Sequence, residues 1–232
     1  RWASPKHFDG RMLRLFETGQ MAEDRFVENL ESVGVQVWTI DEQTGNQFSF
    51  KDLCGHFAGS LDGVGLGIIE APKTPHLLEF KTHGEKSFAK LLKDGVFKSK
   101  PEHVAQMIIY MDYFNLTRAF YLAVNKNTDE LYAERFKADP VEAARLKAKA
   151  RSIITADKPP KGLSTNPSFW KCKFCDFQDV CQLGELMEKN CRTCQHSFAD
   201  VESGGWGCRF FNSVIEMPLN TCVNYQQIEV LK

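Results

Sequence analysis

At 232 residues the chain is long enough for one substantial hydrophobic core and a smaller appendage. Hydrophobic content of 43% and charged content of 25% are ordinary for a globular protein. No stretch approaches the ~18 uninterrupted apolar residues of a membrane helix, so no membrane association is expected. A formal net charge of -1 excludes a general attraction to polyanions, so any contact with nucleic acid has to come from a local basic surface.

The chain opens on Arg1 rather than Met, and the residues present carry no leader pattern. Residues 8–33 place Phe8, Met12, Leu15, Ala22, Phe26, Leu30 and Val33 at helical spacing up to Gly34, which predicts a long opening helix. Short runs rich in β-branched and aromatic residues follow at 35–40, 48–50, 56–61, 67–70 and 77–82. They are separated by turn residues such as Thr44-Gly45-Asn46 and read as a mostly antiparallel sheet. Helical patterning returns over 85–93 and 101–116, where Pro101 suits a first turn and Val104, Ile108 and Met111 form an apolar stripe. A hairpin over 119–125 and 130–136 comes next, then an Ala-rich basic helix over 140–156 behind Asp139 as N-cap. This order predicts a mixed α/β fold, a central sheet flanked by helices.

The composition changes at Lys158-Pro159-Pro160-Lys161-Gly162, a linker signal beyond which seven of the eight cysteines lie. The expected division is a core over residues 1–160 and a small cysteine-rich, metal-binding module over 161–232. Two CxxC pairs without a secretory segment favour metal over disulfides and a reducing, cytoplasmic setting.

The chemistry concentrates in Leu61-Asp62-Gly63 and Leu77-Leu78-Glu79-Phe80-Lys81-Thr82. Side chains alternate along a strand, so Glu79 and Lys81 share one face while Phe80 points the other way. Gly63 is expected to let the chain turn sharply and bring the Asp62 carboxylate beside Glu79. Two carboxylates of this kind hold Mg²⁺ or Mn²⁺, and a lysine of depressed pKa beside them orients or deprotonates the attacking water in phosphodiester hydrolysis. An isolated Glu-x-Lys is usually a surface ion pair, but the apolar run leading into Glu79 marks a central strand, where such a pair does not normally sit.

On Gly19-x-x-x-Glu23, Leu61-Asp62-Gly63, Glu79-Phe80-Lys81 and Gln106-x-x-x-Tyr110, in that order over residues 15–125, the sequence resembles the PD-(D/E)XK nuclease superfamily, in its RecB-like and lambda-exonuclease-like branches. The resemblance implies a restriction-endonuclease-like sheet and a DNA nuclease, an exonuclease of recombination, repair or phage DNA processing. It implies that Asp62, Glu79 and the Phe80 carbonyl bind the metal, with Glu23 reaching it from the first helix, and that Lys81 acts on the water. Gln106 and Tyr110, one helical turn apart, would together hold the water, Lys81 or a DNA phosphate. Leu61 stands where the family often has proline, and Glu23 where several members have histidine.

His83 flanks the site and is a candidate phosphate contact, while Lys86, Lys90 and Lys93 share a helical face suited to a DNA backbone. A solvated face is the competing reading for the lysines. The basic run Arg145, Lys147, Lys149 and Arg151 is expected to face solvent.

Cys172-x-x-Cys175-x5-Cys181 resembles the C-terminal triplet of iron–sulfur RecB-like nucleases, which implies a 4Fe–4S cluster with an upstream fourth ligand. Cys54 is the only upstream cysteine and lies later than the family usually has it. Cys191, Cys194, Cys208 and Cys222 would then form a second thiolate site, the usual arrangement for structural Zn²⁺. The alternative joins Cys172 and Cys175 with Cys191 and Cys194 in one zinc ribbon. Two other functions compete with the exonuclease. One is a site-specific endonuclease of the same fold; the other is a non-catalytic nucleic-acid-binding metalloprotein whose thiolate module makes the contacts. Protein partners and oligomeric state leave no sequence signal.

Overall fold

Asp9 starts the first element by accepting the Met12 N–H at 2.8 Å, and helix α1 (Gly10–Ser32) runs from there with Phe26 and Leu30 buried. The computed structural model describes residues 8–173, 175, 177–184, 188–215 and 222–229. They fall into two compact units, one of Phe8–Phe50 and Ala58–Ala148, the other of Lys51–Phe57 with the described residues from Lys149 onward.

The chain continues through β1 (Gln36–Trp38), β2 (Ile40–Asp41) and β3 (Asn46–Gln47), then β4 (Ser49–Asp52), β5 (Phe57–Ser60), β6 (Gly63–Leu66) and β7 (His76–His83). Helices α2 (Glu85–Ser99) and α3 (Pro101–Tyr113) lead to β8 (Arg118–Asn125), β9 (Leu131–Lys137) and α4 (Pro140–Thr155). The main sheet has the order β1-β6-β7-β8-β9. Only β7 and β8 run parallel, and α2 with α3 forms the long crossover such a pair requires. The fold is therefore mixed α/β, and the mostly antiparallel expectation holds for the other three pairings.

Two expectations need correction. The strand foreseen at 67–70 lies one segment earlier, because Gly67 at φ +106 turns the chain out of the sheet after Leu66. Gly63, in turn, makes no sharp turn. A Cβ there would lie 3.0 Å from the Trp38 carbonyl, so glycine is needed where β6 runs close against β1. The segments at 48–50 and 56–61 form strands outside the five-stranded sheet. Helix α2 extends to Ser99 across a kink at Gly95 (φ +70), beyond which the Glu134 carboxylate accepts the Val96 N–H at 2.9 Å.

Alternation along β7 and β8 splits the core into two layers. Leu77, Ala119, Tyr121 and Ala123 pack with Phe88, Leu91, Met107 and Met111 of α2 and α3. Leu78, Phe80, Leu122 and Val124 pack with Phe26 and Leu30 of α1. Asp139 caps α4 as expected, accepting the Glu142 N–H at 2.9 Å. Two of the basic residues on that helix are paired: Arg145 with Glu142, and Lys147 with Asp112 at 2.5 Å.

In the second unit, residues 156–169 carry no helix or strand. Beyond them lie the short helix α5 (Trp170–Lys173), a tight helical turn at Cys191–Thr193, and an antiparallel sheet of β10 (Ser197–Ala199), β11 (Trp206–Cys208) and β12 (Ser213–Ile215). Among the described residues no helix is long and apolar enough to cross a membrane.

Candidate active site

The β6–β7 ladder stops at the Gly63–Leu78 pair. Beyond it the Phe80 N–H is taken by a side chain instead, donating to Asp62 Oδ2 at 2.7 Å. That bond brings the Asp62 carboxylate to the face of β7 on which Glu79 and Lys81 stand. Lys81 Nζ lies 3.8 Å from Asp62 Oδ2, donates to the Phe80 carbonyl at 2.9 Å, and makes an ion pair with Glu79 Oε1. Two carboxylates, one ammonium and one backbone carbonyl thus meet at a single point.

Burial sets the electrostatics. Glu79 is 0% exposed; the Lys81 ammonium pairs with its Oε1, and its Oε2 has no hydrogen-bond donor among the described residues. Desolvation, reinforced by the Asp62 charge and opposed by Lys81, pushes the Glu79 carboxyl up to about 7. For Lys81, burial works against the charged form, but the Glu79 and Asp62 carboxylates outweigh it and raise its pKa above the ordinary lysine value. The depressed lysine pKa expected from sequence is thereby corrected for the metal-free protein: between two carboxylates the side chain is held as an ammonium.

Glu23 belongs to the same field. Its pKa is raised by burial first and then by the Asp62 charge, with Lys81 opposing. The Phe26 ring, one helical turn further along α1, stacks on Phe80 with centroids 5.1 Å apart, and that contact fixes the helix against β7. On α3, Gln106 hydrogen-bonds Tyr110, whose phenol pKa is raised by burial and then by Glu79. A Cβ on Gly59 would lie 2.7 Å from the Tyr110 ring and hydroxyl, so any larger residue at 59 would have to displace that tyrosine.

Reading the sequence missed a buried chain behind Lys81. Tyr121, opposite Glu79 in the parallel register, shares its hydroxyl with His83 Nε2 at 2.9 Å and His103 Nδ1 at 3.1 Å. His83 is only 6% exposed, and its other ring nitrogen faces Ser87 Oγ at 3.3 Å. Burial, with the nearby positive charges, lowers His83 to about 4 and His103 to about 3, so both rings are neutral at pH 7. The structure therefore turns His83 inward, away from any phosphate. The spacing of His103, Gln106 and Tyr110 on one helical face was the available signal. Lys86, Lys90 and Lys93 are exposed on α2.

No protein-family model matches the chain, and no curated protein matches it. Among solved structures it is similar to a crystal structure of LHK-Exo in complex with dAMP, at 17% identity over 64% of this chain and 69% of that one, with a TM-score of 0.42. It is also similar to a crystal structure of SSO0001, at 14% identity over 71% and 68%, with a TM-score of 0.38.

The oxygen donors suit a hard divalent cation. Asp62 is anchored through one oxygen and keeps the other, Glu79 keeps Oε2 without a donor while Oε1 pairs with Lys81, and Mg²⁺ commonly takes only one or two carboxylates with waters completing the shell. Among the described residues no three His, Cys, Asp or Glu side chains close into a metal cage. Of the first cysteine set, Cys172 is buried and accepts Gln182 Nε2 at 3.2 Å, Cys175 is exposed, and Cys181 lies near Gly162. Cys54 instead meets the β10–β11 turn, its Sγ donating to the Glu202 carbonyl at 3.0 Å.

Proposed function

We propose that the chain is a divalent-metal-dependent nuclease that hydrolyses phosphodiester bonds in DNA. The observation that carries this reading is the meeting of Asp62, the buried and donor-poor Glu79, the Phe80 carbonyl and the Lys81 ammonium at one point on the central strand. Asp62, Glu79 and the Phe80 carbonyl would hold Mg²⁺ or Mn²⁺, with Glu23 joining from α1. Such a cation, when bound, offsets charge on the scissile phosphate and acidifies its water.

The remaining work falls to the chain. Lys81 donates to the attacking water or a non-bridging phosphate oxygen, which its retained positive charge favours. Gln106 and Tyr110, already hydrogen-bonded to each other, align that water or the neighbouring phosphate. The Ser87–His83–Tyr121–His103 chain stiffens β7, β8 and α3 around Glu79. Lys86 and Lys90 give the DNA backbone a local positive face that the overall charge of -1 does not provide. Action from DNA ends, in recombination, repair or phage DNA processing in a reducing cytoplasm, rests on the sequence resemblance.

End-labelled single- and double-stranded DNA incubated with Mn²⁺ or Mg²⁺ tests the proposal. We expect metal-dependent cleavage that starts at the ends and is lost in Lys81→Ala and Asp62→Asn proteins of unchanged circular dichroism. Cleavage untouched by both substitutions overturns the site. Internal, sequence-specific cuts would point to an endonuclease, and DNA binding without cleavage to a binding module.

A further inference from the structure

Cys191, Cys194, Cys208 and Cys222 line one cavity of about 430 Å³, together with His196 and Tyr225. The chain reaches that cavity by three separately anchored segments. Asn190 shapes the turn that carries Cys191 and Cys194, accepting the Arg192 N–H at 2.9 Å while its own N–H donates to Thr193 Oγ1 at 3.3 Å. Cys208 ends β11 directly opposite Ser197, whose N–H donates to the Cys194 carbonyl at 3.2 Å. The segment carrying Cys222 is tied back to the same turn: Gln195 N–H donates to Gln226 O at 2.8 Å, Ile228 N–H donates to Thr193 O at 3.1 Å, and Tyr225 Oη meets Thr193 Oγ1 at 3.1 Å.

From this convergence we propose that Cys191, Cys194, Cys208 and Cys222 form a tetrathiolate site for a structural zinc ion. The thiols rim the cavity without closing on a common point, and Zn²⁺ supplies the attraction that draws them into a tetrahedron. The cavity lining includes neither Cys172 nor Cys175, which separates the two CxxC pairs instead of joining them in one ribbon. His196, whose Nε2 is buried without a hydrogen-bond partner among the described residues, lines the same cavity.

The local fold has need of such a tie. β10, β11 and β12 are three residues each, and Phe210 and Phe211 before β12 and Val214 within it are exposed, so the sheet buries too little apolar surface to hold itself. Zinc is preferred to iron because four thiolates, two of them from one CxxC turn, are the usual donor set of a zinc ion that fastens a small fold. The inference is independent of the nuclease reading.

The test is metal analysis of the full chain. We expect the Cys208→Ser/Cys222→Ser protein to hold one zinc equivalent fewer than the parent, and Cys172→Ser/Cys175→Ser to keep that equivalent. Should the first variant precipitate, alkylation of the unaltered protein, mapped by mass spectrometry, decides. Zinc should protect Cys191, Cys194, Cys208 and Cys222 together, and a chelator should release all four. Unchanged zinc content in a folded variant, alkylation of the four that is indifferent to zinc, or iron in zinc's place each overturns the proposal.

Discussion

The two units of this chain solve the same problem, holding polar groups in place, by opposite means. In the α/β unit the chemistry sits on a strand covered on both faces, and Leu77, Leu78 and Phe80 on either side of Glu79 are almost wholly buried. The apolar core there predates any ligand and forces a carboxylate into a place it would not choose. In the cysteine-rich unit the strands are short, large apolar side chains such as Trp170, Phe211 and Val223 are exposed, and four thiols line one cavity. A prepaid core can carry an unfavourable charge, whereas a small sheet would, under the proposed zinc site, rely on its ligand for stability.

Four experiments press on that contrast, beginning with the greatest effect. Asp62→Asn removes an oxygen donor while keeping the acceptor of the Phe80 N–H, so metal-dependent cleavage should drop by about two orders of magnitude or more with little change in melting temperature. A loss smaller than tenfold in a cleavage assay would move the metal away from Asp62. Next, Leu91→Ala opens a cavity in the layer between β7 and α2 and should cost about 2–5 kcal/mol in urea unfolding of the α/β unit. A chelator should leave that transition where it was; if it shifts equally, the contrast between the units fails.

The third concerns pH. Glu79 is raised from 4.5 to about 7 in the fold, so the native state binds the extra proton. Its contribution to stability is full below about 4.5 and disappears as pH rises through about 7 in metal-free protein. Glu79→Gln should therefore stabilise the metal-free protein at pH 8 by about 1–2 kcal/mol while abolishing cleavage. Melting curves across that range that are flat in both proteins would count against the assigned burial penalty. Smallest is Lys86→Ala with Lys90→Ala. Each lysine that meets a phosphate should lower the slope of log affinity against log salt by about 0.9, with no sequence dependence. An unchanged slope marks these lysines as a solvated face.

Much of the α/β unit was legible in advance because its signals are local. The two-residue period of Glu79 and Lys81, the apolar approach through Leu77-Leu78 and the Asp139 cap all depend on neighbours in the chain. What escaped depends on partners distant in sequence. The Tyr121 hydroxyl lies behind Lys81 only because β7 and β8 are parallel in one register. The glycine beside Asp62 serves an approach to Trp38, and the sign of the Lys81 shift comes from adding two carboxylates against its burial. Cysteine grouping was open for a related reason: ligand spacing is shared by several metals and pairings, and the cavity around Cys208 and Cys222 has no counterpart in the linear pattern.

The stacking of Phe26 on Phe80 carries one more consequence. Phe80 lends its ring to the layer packed on α1 while its carbonyl takes the Lys81 ammonium, so one residue links the two. A smaller ring at position 26 would let α1 drift, carrying the Glu23 carboxylate with it and loosening the peptide plane that Lys81 grips. Under the proposed function, an aromatic pair that touches no substrate would thus be constrained as tightly as the carboxylates.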